Sequence, residues 1–214
     1  IFCAADPINF SDPTGMDIYR FDKKTGDVVL NQKTDDEFDQ IGVFKINKET
    51  GEYELQTNRK GKAKTLVDKV EKGILKDGMN LKEQDNVWQV GGEGNPSVEG
   101  FQEFAIELSE LLDLELGGYY FSKQGSEDIE YVGLGKYKNN RYDYCKTAIN
   151  IKEKPWLHTD YRYHTNWHTH PSRARTMGRF LPSKPDQRIR DQEKKAGLVL
   201  YHIILTKGYP PIKY

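Results

Sequence analysis

His168 and His170 stand one residue apart, and Asp186 follows sixteen positions after the second histidine. In a strand, residues i and i+2 point to the same face, so two imidazoles at this spacing can converge on one ion without backbone distortion. A carboxylate in the first turn of a helix is electrostatically favoured, and Asp186 is expected in that position if the loop before it folds back. Two histidines and an aspartate make the three-ligand set of a catalytic zinc site, with a fourth position open to water. Zinc lowers the pKa of a water it holds to about 7. Such a site then needs a base to carry the proton and a donor for the oxyanion.

The elements that would hold these residues can be read from periodicity. Phe101, Phe104, Ala105, Leu108, Leu111 and Leu112 recur at helical spacing and predict an amphipathic helix. Gly117 and Gly118 break it, and strands are expected at 119–122, 130–134, 161–170 and 198–205, with a polar helix over 185–196. The expected fold is α/β in the α+β sense, a mixed sheet with flanking helices. Upstream, the segment from Phe21 to Leu30 is repeated from Ile46 to Leu55, each around a Lys-x-Thr-Gly turn, so each predicts a β-hairpin. Gly91-Gly92-Glu93-Gly94-Asn95-Pro96 reads as a boundary. Three units are expected: a connector over 1–16, a β-hairpin-rich lead-in module over 17–95 and a larger domain over 98–214.

Composition narrows the function classes. With 36% hydrophobic and 12% aromatic residues in 214, the chain has material for a core. It has no apolar run long enough to span a membrane, and Ile1-Phe2-Cys3-Ala4-Ala5 is too short for the apolar stretch of a signal peptide. Because the chain starts at Ile1 rather than Met, it is expected to be a piece of something longer. Cys3 and Cys145 are the only cysteines, so thiolate zinc sites and disulfide frameworks are excluded. Net charge is -1, yet residues 136–196 carry 15 Lys and Arg against 6 Asp and Glu. That basic stretch would suit an acidic partner or a solvated face. No nucleic-acid module is recognisable, and nucleic acid is not expected as a partner. His164 precedes His168 by four residues, also a same-face spacing in a strand, so it could point towards the site as a partner or stray ligand; the favoured expectation is an ordinary paired histidine.

Two resemblances to known families follow. His168-Thr169-His170-Pro171 and Ser183-Lys184-Pro185-Asp186, with Glu115-Leu116-Gly117-Gly118 upstream, resemble the JAMM (JAB/MPN) metalloproteases over roughly 98–214. The resemblance implies that His168, His170 and Asp186 bind Zn2+, that Glu115 is the general acid/base, and that Ser183 hydrogen-bonds the tetrahedral oxyanion. A serine before a helix is also an ordinary N-cap, a role compatible with catalysis. The loop of twelve residues from Pro171 to Pro182 is longer than the family's and carries Arg173, Arg175 and Arg179.

Asn9-Phe10-Ser11-Asp12-Pro13-Thr14-Gly15 is similar to the segment that ends the core of Rhs/YD-repeat proteins, ahead of a variable toxin tip. Together the two imply a zinc metallopeptidase or isopeptidase serving as the toxin tip of an Rhs-type protein. Such a protein would be delivered by a bacterial cell into a target cell, with a protein or peptide substrate and an immunity protein as partners. The alternative is a catalytically inactive JAMM-like scaffold that binds an acidic protein partner.

Overall fold

The computed structural model describes residues 17–34, 37–145, 149, 157, 159–173 and 181–214. It is an α+β fold with two sheets of four and six strands, a separate hairpin and two long helices among the described residues. β1 (Asp17–Phe21), β2 (Val28–Gln32), β3 (Phe38–Gly42) and β6 (Thr65–Glu71) form the first sheet in the order β2-β1-β3-β6. β4 (Phe44–Ile46) and β5 (Tyr53–Leu55) form the hairpin.

Both copies of the internal repeat fold as expected, around the same turn. Asp22 Oδ1 accepts from the amides of Lys24 and Thr25, and Asn47 Oδ1 accepts from those of Glu49 and Thr50. Gly26 and Gly51 close the turns at φ 86° and 74°, a conformation glycine adopts without steric cost.

The six-stranded sheet runs β12-β11-β10-β8-β9-β7, with β7 (Asn86–Gln89), β8 (Gly117–Lys123), β9 (Tyr131–Leu134), β10 (Tyr161–Thr169), β11 (Tyr201–Leu205) and β12 (Ile212–Lys213). β10 and β11 are parallel, and parallel neighbours require a crossover. The segment between them contains α2 (Lys184–Lys195).

α1 (Val98–Leu112) buries Phe101, Phe104, Ala105 and Leu108, as the periodicity requires. Ser97 caps it by accepting from the Gly100 amide, and Glu71 of β6 accepts from both the Ser97 amide and hydroxyl. Phe101 packs edge-on against Trp167 of β10 at 5.4 Å between ring centroids. α1 therefore covers the face of the sheet that carries Tyr120 and Trp167.

The core does not stop at the expected junction near 95–98. One buried cluster runs from Tyr19, Ile41 and Val70 through Trp88 and Phe101 to Trp167 and Leu205. β7, inside the expected lead-in span, is an edge strand of the six-stranded sheet, and Trp88 Nε1 donates to the Ile74 carbonyl at 2.8 Å. Gly91–Pro96 is a loop on the surface of this shared core, because apolar faces on both sides need each other for burial. In the four-stranded sheet, Lys72 Nζ lies 2.8 Å from both Asp17 and Asp39. No helix among the described residues is long and apolar enough to cross a membrane. The expected connector at 1–16 lies outside the described residues.

Candidate metal centre

The two histidines sit where β10 ends. Alternation along this strand turns Trp167 and Thr169 towards α1 and leaves Asn166, His168 and His170 on the opposite face. His168 Nε2 and His170 Nε2 are 3.1 Å apart and both side chains are buried. Asp186, in the first turn of α2, brings Oδ2 to 3.7 Å from His168 Nε2 and 4.0 Å from His170 Nε2. One ligand atom from each of the three lies within 4.8 Å of the other two, so this buried group could hold a metal ion.

Burial pulls the His168 imidazole down to about 4 against the opposing pull of the Asp186 carboxylate. His168 is therefore neutral at pH 7, the protonation state a ligand needs.

Thr169, between the histidines, ties the strand to the segment that carries Glu115. Its hydroxyl accepts from the Leu116 amide at 2.8 Å and donates to Ser109 Oγ at 2.8 Å, and Ser109 donates to the Leu114 carbonyl at 2.6 Å. α1 ends at Asp113 in the left-handed conformation, φ 53°, which turns the chain towards the sheet. Glu115 is then fixed at both backbone groups, its amide donating to the Arg141 carbonyl and its carbonyl accepting from Asn140 Nδ2, each at 2.8 Å. Its carboxylate is buried, with Oε1 3.6 Å from His170 Nε2.

Ser183 is the N-cap of α2 in a reciprocal capping box. Ser183 Oγ accepts from the Asp186 amide, and Asp186 Oδ2 accepts from the Ser183 amide at 2.6 Å. The oxygen that faces the histidines is thereby oriented by its own helix cap. The hydroxyl still has a proton to donate, since a serine is at once donor and acceptor.

All five expected site residues meet at this corner, and all except His170 line a cavity of about 120 Å³. A wider groove of about 700 Å³ between β6, α1 and Thr206–Tyr209 has no histidine or cysteine among the described residues that line it.

The cavity is also lined by Cys145, Asn166, His202 and Tyr214, none of which the motifs single out. Asn166 could have been found from its i−2 spacing to His168. Burial, with the charges of Glu115 and Asp186, pushes the Cys145 thiol well up, so it is no thiolate at neutral pH. His164 pairs elsewhere, with Thr165 Oγ1 at 2.8 Å and Glu127 at 3.2 Å. A register shift between Tyr163 and Thr165 breaks the alternation on which its same-face spacing depends. Arg173 is held by Asp113 at 3.1 Å and stacks over Tyr142; Arg175, Arg179 and His158 lie outside the described residues. No family model, curated protein or solved structure matches the chain.

Proposed function

We propose that the chain is a zinc-dependent metallopeptidase or isopeptidase of the JAMM type. The observation that carries this reading is the convergence of His168, His170 and Asp186 in a buried corner with the Glu115 carboxylate beside them. The donor set suits zinc. Two nitrogens at about 2.0–2.1 Å from a tetrahedral ion lie roughly 3.3 Å apart, and the histidine nitrogens are separated by 3.1 Å. The carboxylate oxygen, at 3.7 and 4.0 Å, needs only a small inward shift.

When bound, zinc supplies Lewis acidity towards a carbonyl and makes water acidic. The remaining work falls to this chain's own groups. Glu115, pinned through its backbone, takes a proton from the attacking water and returns it to the leaving amine. The Ser183 hydroxyl donates to the carbonyl oxygen as negative charge develops there. As the toxin tip of an Rhs-type protein, the chain would act on a protein or peptide in a target cell and would be held in check by an immunity protein.

The test has two parts. Elemental analysis should find about one zinc per chain, lost in the His168→Ala/His170→Ala variant. Glu115→Ala should keep its zinc and lose peptide cleavage by a factor of at least about 100. Zinc-free wild-type protein after reconstitution would sink the reading and favour an inactive scaffold that binds an acidic protein partner. Full cleavage by Glu115→Ala would remove that residue from its role.

A further inference from the structure

We propose that Glu193 is a positioning residue for the metal centre: by clamping α2 to three strands of the sheet, it holds Asp186 against His168 and His170. This rests on the metal-centre reading and concerns residues to which that reading gives no role.

α2 lacks the usual means of attachment. It has no buried side chain, and its largest apolar residue, Ile189, is exposed. A helix without a buried apolar stripe gains little from packing, so something else must set its position. The candidate is Glu193, seven residues and two turns beyond Asp186 on the same helix face.

The Glu193 carboxylate receives four hydrogen bonds. Tyr119 Oη donates to Oε1 at 2.9 Å, Asn166 Nδ2 donates to Oε1 and Oε2 at 3.1 and 3.0 Å, and His202 Nε2 meets Oε2 at 2.7 Å. Burial alone would raise this carboxyl, but the bonds from His202, Asn166 and Tyr119 outweigh it and hold Glu193 below the ordinary carboxylate range.

The three partners form one row across the sheet. Asn166 of β10 is in register with Tyr119 of β8 on one side and with His202 of β11 on the other. His168 is the next residue on the same face of β10, about 7 Å further along the strand. α2 is thus fixed at two points on one face. Glu193 grips the row, and Asp186 reaches the histidines. If the grip is released, no buried apolar contact of α2 keeps Asp186 at ligand distance. A charged carboxylate with three donors is also a directional anchor, unlike an apolar contact, which tolerates sliding.

The experiment compares zinc affinity, by chelator competition, and the visible spectrum of the cobalt(II)-loaded full chain, for wild type, Glu193→Ala and Glu193→Gln. Lys72→Met, which leaves Asp17 and Asp39 facing each other in the other sheet, serves as a destabilised control. Glu193→Ala should bind zinc about 10–100-fold more weakly, as losses around metal ligands commonly do, with an altered cobalt spectrum. Glu193→Gln, which keeps the volume and one acceptor, should lie between it and wild type and remains informative if the alanine variant does not fold. Lys72→Met should lower thermal stability and leave metal affinity and spectrum unchanged. Wild-type affinity and spectrum in both Glu193 variants would overturn the inference while leaving the metal centre standing. A wild-type chain that binds neither zinc nor cobalt would overturn the metal-centre reading and this inference with it.

Discussion

A buried histidine beside a carboxylate could be either half of an ion pair or a neutral imidazole, and at His168 burial favours the second. Its pKa falls from about 6.5 in an unfolded chain to about 4 in the fold. Between those values the unfolded chain holds more protons than the folded one, so stability rises with pH across the window and is flat above it. Metal-free protein should therefore lose stability on acidification from pH 6.5 to 4, by an amount of order a few kcal/mol from this residue. Urea titrations with a chelator present, on wild type and His168→Gln, would measure it. An equally steep loss in the variant would show that other groups carry the slope. Thr169 adds a second point at this scale. Its hydroxyl ties the histidine strand to the Leu114–Leu116 segment, which accounts physically for a small hydroxyl residue between the two histidines.

Among the elements, β8 is positioned by what Gly118 lacks. A Cβ there would sit 1.9 Å from the Gly133 carbonyl oxygen, which also accepts from Trp167 Nε1 at 3.1 Å. β8, β9 and β10 can approach this closely only while that position is bare, so the glycine three residues after Glu115 has a packing reason. Gly118→Ala should destabilise the protein by about 1–3 kcal/mol, in the range of overpacked cores. Because Gly117 and Gly118 of β8 are in register with His168 and Trp167 of β10, metal affinity should fall with it. Thermal denaturation beside zinc titration would check both, and a variant with wild-type stability would show that the strands can shift without cost. α2 presents the contrasting case, an element with no buried side chain, where the balance rests on directional hydrogen bonds.

For the whole molecule, the shared core predicts cooperative behaviour. The cluster spanning Tyr19 to Leu205 leaves no apolar boundary at which 98–214 could be separated. A fragment of 98–214 alone would lose β7, the Trp88 packing against Phe101 and the Glu71 contacts to the start of α1. It should bind hydrophobic dye and lack near-ultraviolet circular dichroism, whereas the full chain should unfold in one transition. A fragment with native dichroism and tight zinc binding would show that 17–95 is dispensable for the fold. The 17–95 segment is therefore expected to act as half of the scaffold.

The histidine pair, the capped start of α2, the amphipathic α1 and the twin hairpins were all legible in the sequence. Each rests on local rules: alternation by two, recurrence near 3.6, and turn chemistry at Thr-Gly. Local rules fail where partners are distant in the chain. The expected boundary at Gly91–Pro96 marks a real loop, but only the fold shows a single core beneath it. His202 offered no signal because its partner, Glu193, sits on a neighbouring element, and strand register brings Tyr119 and Asn166 to the same carboxylate. His164 kept its spacing to His168 but lost its phase to an irregularity that no residue announces. Sequence thus determined which groups could do chemistry and on which kind of element. Tertiary structure decided which of them meet, because strand register and helix docking follow from burial summed over the whole chain.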